Sequence, residues 1–168
     1  TCGAAMRSYS RFASTTPETM RVAARLMETG IDFAAAAKTM FDTRSLDLLA
    51  LQADVMAGME LLENPAGTVA VLRVPAAVRK QHEIAFTQVE SLIDAVRTVE
   101  GAAVAVVLKE DDTGMWRISS RSMGTVDVGS ACTACGGGGH RMAGGFTGGP
   151  DPDATLAAFL DAVARAPQ

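Results

Sequence analysis

The residues best suited to chemistry sit together late in the chain: Gly136, Gly137, Gly138, Gly139, His140, Arg141, Met142, Ala143, Gly144, Gly145 and Phe146. Glycine has no Cβ, so a run of glycines lets the backbone approach a ligand closely and adopt positive φ, and successive N–H groups can converge on an anion. His140 adds a side-chain donor and Arg141 a positive charge. Taken alone, the tract reads as a phosphate or carboxylate site, with a flexible or tightly packed glycine loop as the alternative. Two common nucleotide motifs are excluded. No Lys-Ser or Lys-Thr pair follows Gly144, as a P-loop requires, and the strand-turn-helix context of a dinucleotide fingerprint is missing.

The other chemically capable residues form weaker patterns. Cys132 and Cys135 have C-x-x-C spacing with His140 close behind, which raises zinc or a redox dithiol. A structural zinc needs four ligands, and only Cys2 and His82 remain as distant candidates. A redox pair usually opens a helix, whereas this one lies near a helix end. Buried core thiols are the preferred reading. Arg121 either pairs with an acidic neighbour or offers its guanidinium fork to a phosphate. Glu110, Asp111 and Asp112 read as a solvated turn, and His82 as a surface or satisfied histidine. No nucleophile-elbow pattern supports a serine hydrolase.

These residues need elements to position them. Thr15, Thr16, Pro17 and Glu18 form a helix start, and that helix should end at Gly30. Asp32 caps an Ala-rich helix. From Ser45 a longer helix carries Leu48, Leu51, Val55, Met59 and Leu62 at spacings of three and four, until Asn64, Pro65 and Gly67 stop it. The texture then changes to strands. Thr68 to Val74 is a β-branched run, and Ala102 to Leu108 is an apolar run suited to a strand buried on both faces. Phe86, Val89, Leu92, Ile93 and Val96 mark a connecting helix, while Pro75 to Glu83 fits more than one state.

A turn at Asp111 to Gly114 leads into an alternating strand, with Trp116, Ile118 and Ser120 on one side and Arg117, Ser119 and Arg121 on the other. Asp127 caps a short helix ending near Cys135. Pro152 to Ala166 supplies a closing helix with Leu156, Phe159, Leu160 and Val163 inward. The expected class is α/β: N-terminal helices, then a small mixed β-sheet domain with flanking helices, and no internal repeat.

Composition limits the function classes. With 168 residues, 48% hydrophobic and 20% charged, the chain has material for one full core or for a core plus a helical appendage, and this composition excludes disordered and collagen-like classes. The longest apolar stretch, Ala102 to Leu108, is far short of the roughly 20 residues of a membrane span, so a soluble cytoplasmic protein is expected. The net charge of −4 argues against a protein that coats long nucleic acid. Any nucleic-acid partner should be short. Three cysteines suit a reducing compartment. The first residue, Thr1, is not methionine, which permits a preceding domain.

The order Trp116-Arg117-Ile118-Ser119-Ser120-Arg121-Ser122, Asp127-Val128, four glycines with His140, and Ala143-Gly144-Gly145-Phe146 resembles the DHH-associated domain of RecJ-like DHH-family phosphoesterases. It is most similar to the branch of bifunctional oligoribonucleases and phosphoadenosine-phosphate phosphatases called nanoRNases. Arg11 to Thr19 resembles the segment leaving that family's catalytic domain. The resemblance implies residues 1–64 as the tail of a catalytic domain with linker helices, and 65–168 as the substrate-binding domain. It also implies that Arg121, Gly137, Gly138, Gly139 and His140 bind substrate phosphate.

Further implications concern the parent protein. A manganese centre belongs to the family's catalytic domain, whose paired-histidine motif is absent here, since the only histidines are His82 and His140. Met6-Arg7-Ser8 stands where the family carries an Asp-Thr-Gly metal-ligand motif, and Gly144 replaces a usual alanine. No catalytic or metal-ligating residue is therefore expected in this chain. The implied partners are a short oligoribonucleotide or phosphorylated nucleotide and the catalytic DHH domain, with a homodimer admitted and no membrane. The alternative is a non-catalytic nucleotide-binding module or sensor.

Overall fold

The structure, a computed structural model, describes residues 15–167. The expectations placed on Cys2, Met6 to Ser8 and Arg11 to Ser14 lie outside the described residues. The chain divides after Arg44 into two compact units.

The first unit holds two capped helices. In α1 (Pro17–Glu28) the Thr16 hydroxyl accepts from the Thr19 N–H, and the Thr19 hydroxyl accepts from the Thr16 N–H in return. Gly30, at φ +81, follows its last turn, as the sequence predicts. In α2 (Phe33–Phe41) the Asp32 carboxylate accepts from the Ala35 N–H.

The second unit begins with α3 (Leu46–Met56), where Ser45 caps the Leu48 N–H. The sequence spacing carries this helix on through Met59 and Leu62, and the structure corrects that. The helix stops at Met56, and Glu60–Leu62 is a short strand, β1, running antiparallel to β2 (Val69–Val74). Gly58 follows the end of the helix, and β1 pairs the edge of β2 that would otherwise expose its backbone groups. Met59 and Leu62 pack against different cores on opposite faces of the sheet, which no helical spacing could arrange.

Between β2 and β3 (Val104–Glu110) the ambiguous Pro75 to Glu83 stretch forms α4 (Ala76–Gln81). The connecting helix read over Phe86 to Val96 is instead a 3-10 segment (Phe86–Leu92) followed by one α turn, α5 (Ile93–Val96). Then come β4 (Trp116–Ser122), α6 (Val128–Ala134), β5 (Gly138–His140), β6 (Ala143–Thr147) and α7 (Pro152–Arg165). The six strands are ordered β1-β2-β3-β4-β6-β5, with β2 and β3 parallel and the other pairs antiparallel. This is the mixed α/β class expected from the sequence.

Each face of the sheet has its own core. On one face Val69, Val71, Val106, Leu108 and Ile118 pack with Val128, Phe159 and Val163 of α6 and α7. On the other, Ala70, Leu72, Ala105 and Val107 pack with Leu51 of α3, Val89 of the 3-10 segment and Val96 of α5. Each fully buried Val, Leu or Phe contributes about 1.5–3 kcal/mol of apolar transfer. Because β2 and β3 are covered on both sides, residues 69–72 and 104–108 are unbroken apolar runs, with Arg73, Lys109 and Glu110 near the strand ends, while β4 alternates buried and accessible positions. No residue of β4, β5 or β6 among those described joins the buried members of the second core, and this leaves that part of the sheet face accessible.

Candidate functional site

The glycine tract divides into three structural roles. Gly136, at φ +83, ends α6: its N–H donates to Thr133 O at 3.0 Å, and the Gly137 N–H donates to Cys132 O at 2.9 Å. Both N–H groups therefore cap the helix and are not free to converge on an anion. Gly137, Gly139, Gly144 and Gly145 permit close packing. A Cβ on Gly137 would lie 2.2 Å from Gly145 O, and one on Gly144 would lie 2.9 Å from Cys132 Sγ. Gly138 differs, because a Cβ there meets no heavy atom within 4 Å.

The register assembles these residues with β4. Antiparallel partners share a sheet face, so Arg121, Ala143 and His140 form one row across β4, β6 and β5. The next row is Ser119, Gly145 and Gly138, which has no side chain beyond Ser119. Arg121 and His140 thus stand on one face, two strand spacings or roughly 10 Å apart, beside a floor of bare glycine backbone. Arg121 is half-buried and donates to Ser120 O at 2.9 Å, and no carboxylate pairs with it among the described residues. His140 is exposed. Its carbonyl lies where a Cβ on Gly129 would come within 2.6 Å, so Gly129 lets β5 sit against α6.

Other residues singled out in the sequence are occupied elsewhere. The Arg141 guanidinium donates to Thr125 O at 2.9 Å and ties down the β5–β6 turn. Cys132 is buried, with Sγ 3.4 Å from Ser120 Oγ, and Cys135 is half-buried against Ala158 O. Burial pushes both thiols above their ordinary pKa, which disfavours the thiolate that zinc or redox chemistry uses. His82 is satisfied by Asp54 at 2.7 Å.

The solvated-turn reading of Glu110 to Asp112 needs correction at Asp111, which is buried. Its Oδ1 accepts from Thr113 N and Oγ1 at 2.9 and 2.5 Å, and its Oδ2 accepts from Arg117 Nε at 3.0 Å. The Thr113 hydroxyl is the largest cause that holds its pKa down, from 3.8 to about 2. Glu110 accepts from the Ala76 N–H at 2.9 Å, and Asp112 pairs with Arg79. The turn is an anchored structural corner.

Sequence reasoning missed the group beside Ser119. Lys109 lies in the row of Arg117 and Thr147, on the face of Arg121. Only 2% exposed, it reaches Ser119 Oγ at 2.8 Å and Glu90 Oε2 at 2.6 Å. Burial is the largest influence and lowers its pKa, Glu90 raises it, and the Arg121 and Arg117 charges lower it further. The signal available in the sequence was a lysine closing an apolar strand run, but its face depends on pairing with β4.

The DHHA1 domain matches residues 66–166, from the turn before β2 to the end of α7. The chain belongs to this family. The DHHA1 domain here is homologous to NrnA-type phosphoesterases. The bifunctional oligoribonuclease and PAP phosphatase NrnA of Thermus thermophilus is 30% identical over 154 residues, covering 91% of this chain and 45% of that protein. The probable bifunctional oligoribonuclease and PAP phosphatase NrnA of Streptococcus mutans is 25% identical over 134 residues, covering 80% and 42%. The chain therefore spans less than half the length of these curated relatives. An exopolyphosphatase-related protein from Bacteroides fragilis superposes with a TM-score of 0.80 at 20% identity, over 92% of this chain and 45% of that one, which establishes the fold.

Such relatives raise the question of a metal. Among the described residues no three His, Cys, Asp or Glu side chains come together to hold one, so the donor set of this DHHA1 domain does not fit a manganese centre. No described helix is long and apolar enough to cross a membrane.

Proposed function

We propose that this chain is the substrate-binding part of a manganese-dependent phosphoesterase that hydrolyses short oligoribonucleotides or phosphoadenosine phosphate. Residues 65–168 form the substrate-binding domain, and 1–64 the tail of the catalytic domain with linker helices. The observation that carries this reading is the row that brings Arg121 and His140 to one accessible face beside the bare backbone of Gly138 and Gly145. A guanidinium without a carboxylate partner is a ready bidentate donor to phosphate oxygens. A glycine floor lets the ligand approach the backbone.

Each residue has a stated task. Arg121 and His140 grip a terminal phosphate. Gly138 leaves room over β5, while Gly137 and Gly139 let the hairpin pack closely enough to present His140. By fixing one phosphate, the site orients the rest of the ligand, a contribution of position rather than of bond-breaking. Hydrolysis takes place at the manganese centre of the protein's catalytic domain, and the protein works in the cytoplasm. A localised basic face also reconciles a net charge of −4 with a polyanionic ligand.

The test is calorimetric titration with a 5′-phosphorylated diribonucleotide at fixed low salt, comparing wild type with Arg121→Ala and His140→Ala. Saturable binding weakened at least about tenfold by each substitution is expected, equivalent to ~1.4 kcal/mol. Wild-type binding that neither substitution weakens would remove these residues from the site.

A further inference from the structure

Beside Arg121, three further cations gather around one aromatic ring. Arg79, Lys109 and Arg117 surround the Phe86 ring at 5.8, 5.7 and 5.2 Å from its centroid. With Arg121 they make four cations, facing the carboxylates of Glu90, Asp111 and Asp112. Arg79, Lys109 and Arg117 each pair with one of these carboxylates, and no carboxylate pairs with Arg121 among the described residues. An unpaired cation beside such a cluster attracts an anion.

Lys109 shows where that anion sits. A buried ammonium persists only with an anion and acceptors around it. Here the anion is the carboxylate of Glu90, whose side chain is 53% exposed while that of Lys109 is 2% exposed. Glu90 Oε2 lies 2.6 Å from Lys109 Nζ and 3.5 Å from Ser119 Oγ. A surface carboxylate thus occupies the position that a ligand oxygen would take against a buried donor. Arg117, 49% exposed, spends its Nε on Asp111 at 3.0 Å and holds its guanidinium over Phe86 beside this position.

We propose that Lys109, Ser119 and Arg117 form a second anion seat, occupied by the Glu90 carboxylate until a second phosphate of the ligand displaces it. The ligand class is a nucleotide carrying two phosphates. Ser119 lies two residues from Arg121 on β4, about 7 Å along the strand, so such a ligand spans both seats whereas a monophosphate fills one. The proposal rests on the reading of Arg121 and His140 as the first seat. Glu90 then sets specificity, because a ligand that cannot replace it gains nothing from Lys109.

The experiment compares titrations of the 168-residue chain with adenosine 5′-monophosphate and adenosine 3′,5′-bisphosphate at the same low salt, and reads the ratio of the two affinities. Wild type is expected to prefer the bisphosphate by about tenfold, in line with the strength of charge-assisted phosphate contacts. Ser119→Ala lowers the ratio. Glu90→Gln, which removes the competing carboxylate from the buried Lys109, raises it by about two- to fivefold. Arg117 also anchors Asp111, so Ser119→Ala and Glu90→Gln carry the test, with thermal melts confirming that both fold. A ratio unmoved by both variants overturns the second seat, and monophosphate binding that depends on Arg121 would leave the first seat standing. If neither nucleotide binds wild type at millimolar concentration, both seats fall together.

Discussion

Two neighbouring glycines should respond to alanine in opposite ways. At Gly138 φ is not in the left-handed region and the added methyl meets nothing within 4 Å. The substitution restricts the unfolded chain, so Gly138→Ala should stabilise the protein by about 0.4–1 kcal/mol. For a chain of this length the melting temperature rises by about 1–4 °C. At Gly139, with φ +151, the methyl would lie 2.3 Å from Ala143 O and 2.5 Å from Gly144 Cα, both backbone atoms of the paired strand. The hairpin must then move apart, and overpacking of this kind costs about 1–3 kcal/mol.

Ligand binding should fall in both variants for different reasons. Gly138→Ala puts a methyl on the glycine floor beside Arg121 and His140, whereas Gly139→Ala displaces His140 itself. Differential scanning calorimetry and titration with adenosine 5′-monophosphate check the two properties separately. The expected pattern is raised stability with about tenfold weaker binding for Gly138→Ala, and lowered stability with weakened binding for Gly139→Ala. If Gly138→Ala binds within twofold of wild type, the glycine floor is not where the ligand lies. An unchanged melting temperature for Gly139→Ala would refute the packing account.

Phe159→Ala empties a fully buried site whose ring lies 6.1 Å from that of Phe146, and should cost about 3–5 kcal/mol in denaturant unfolding. A loss below about 1 kcal/mol would mean that the core can collapse around it. Asp111 has a depressed folded pKa, so its ionised form contributes stability above 3.8 that is lost as pH falls to about 2. The stability gap between wild type and Asp111→Asn should therefore be constant above that window and narrow within it, and a gap that persists at low pH contradicts this. Cys132 has a buried thiol of raised pKa, so an alkylating reagent should modify it only on unfolding, and rapid labelling of the native protein would show that the core is open there.

Much of the local structure was legible because its causes are local. Thr16, Asp32, Ser45 and Asp127 all cap the helices that follow them, and each acts on N–H groups within three residues. The apolar runs in β2 and β3 and the alternation of β4 reflect how many faces of each strand are covered. The order from Trp116 to Phe146 likewise placed the chain in its family. The helical spacing that misled at Met59 and Leu62 shows the limit. Those residues obey the available edge of β2, which sequence periodicity does not contain.

The candidate site depended on tertiary structure almost throughout. The sequence by itself determined that Arg121 and His140 exist, that glycines surround the histidine, and that β4 alternates. Pairing across β4, β6 and β5 decided that Arg121, Ala143 and His140 share a row and that, of the glycines in β5 and β6, Gly138 alone has open space where a Cβ would stand, while the end of α6 decided that Gly136 and Gly137 cap it. Pairing of β3 with β4 and the packing of the 3-10 segment brought Lys109 and Glu90, which the sequence did not single out, to the side of Ser119. The physical reason is that a strand's face has period two, so which residues meet on it is set by register between distant segments.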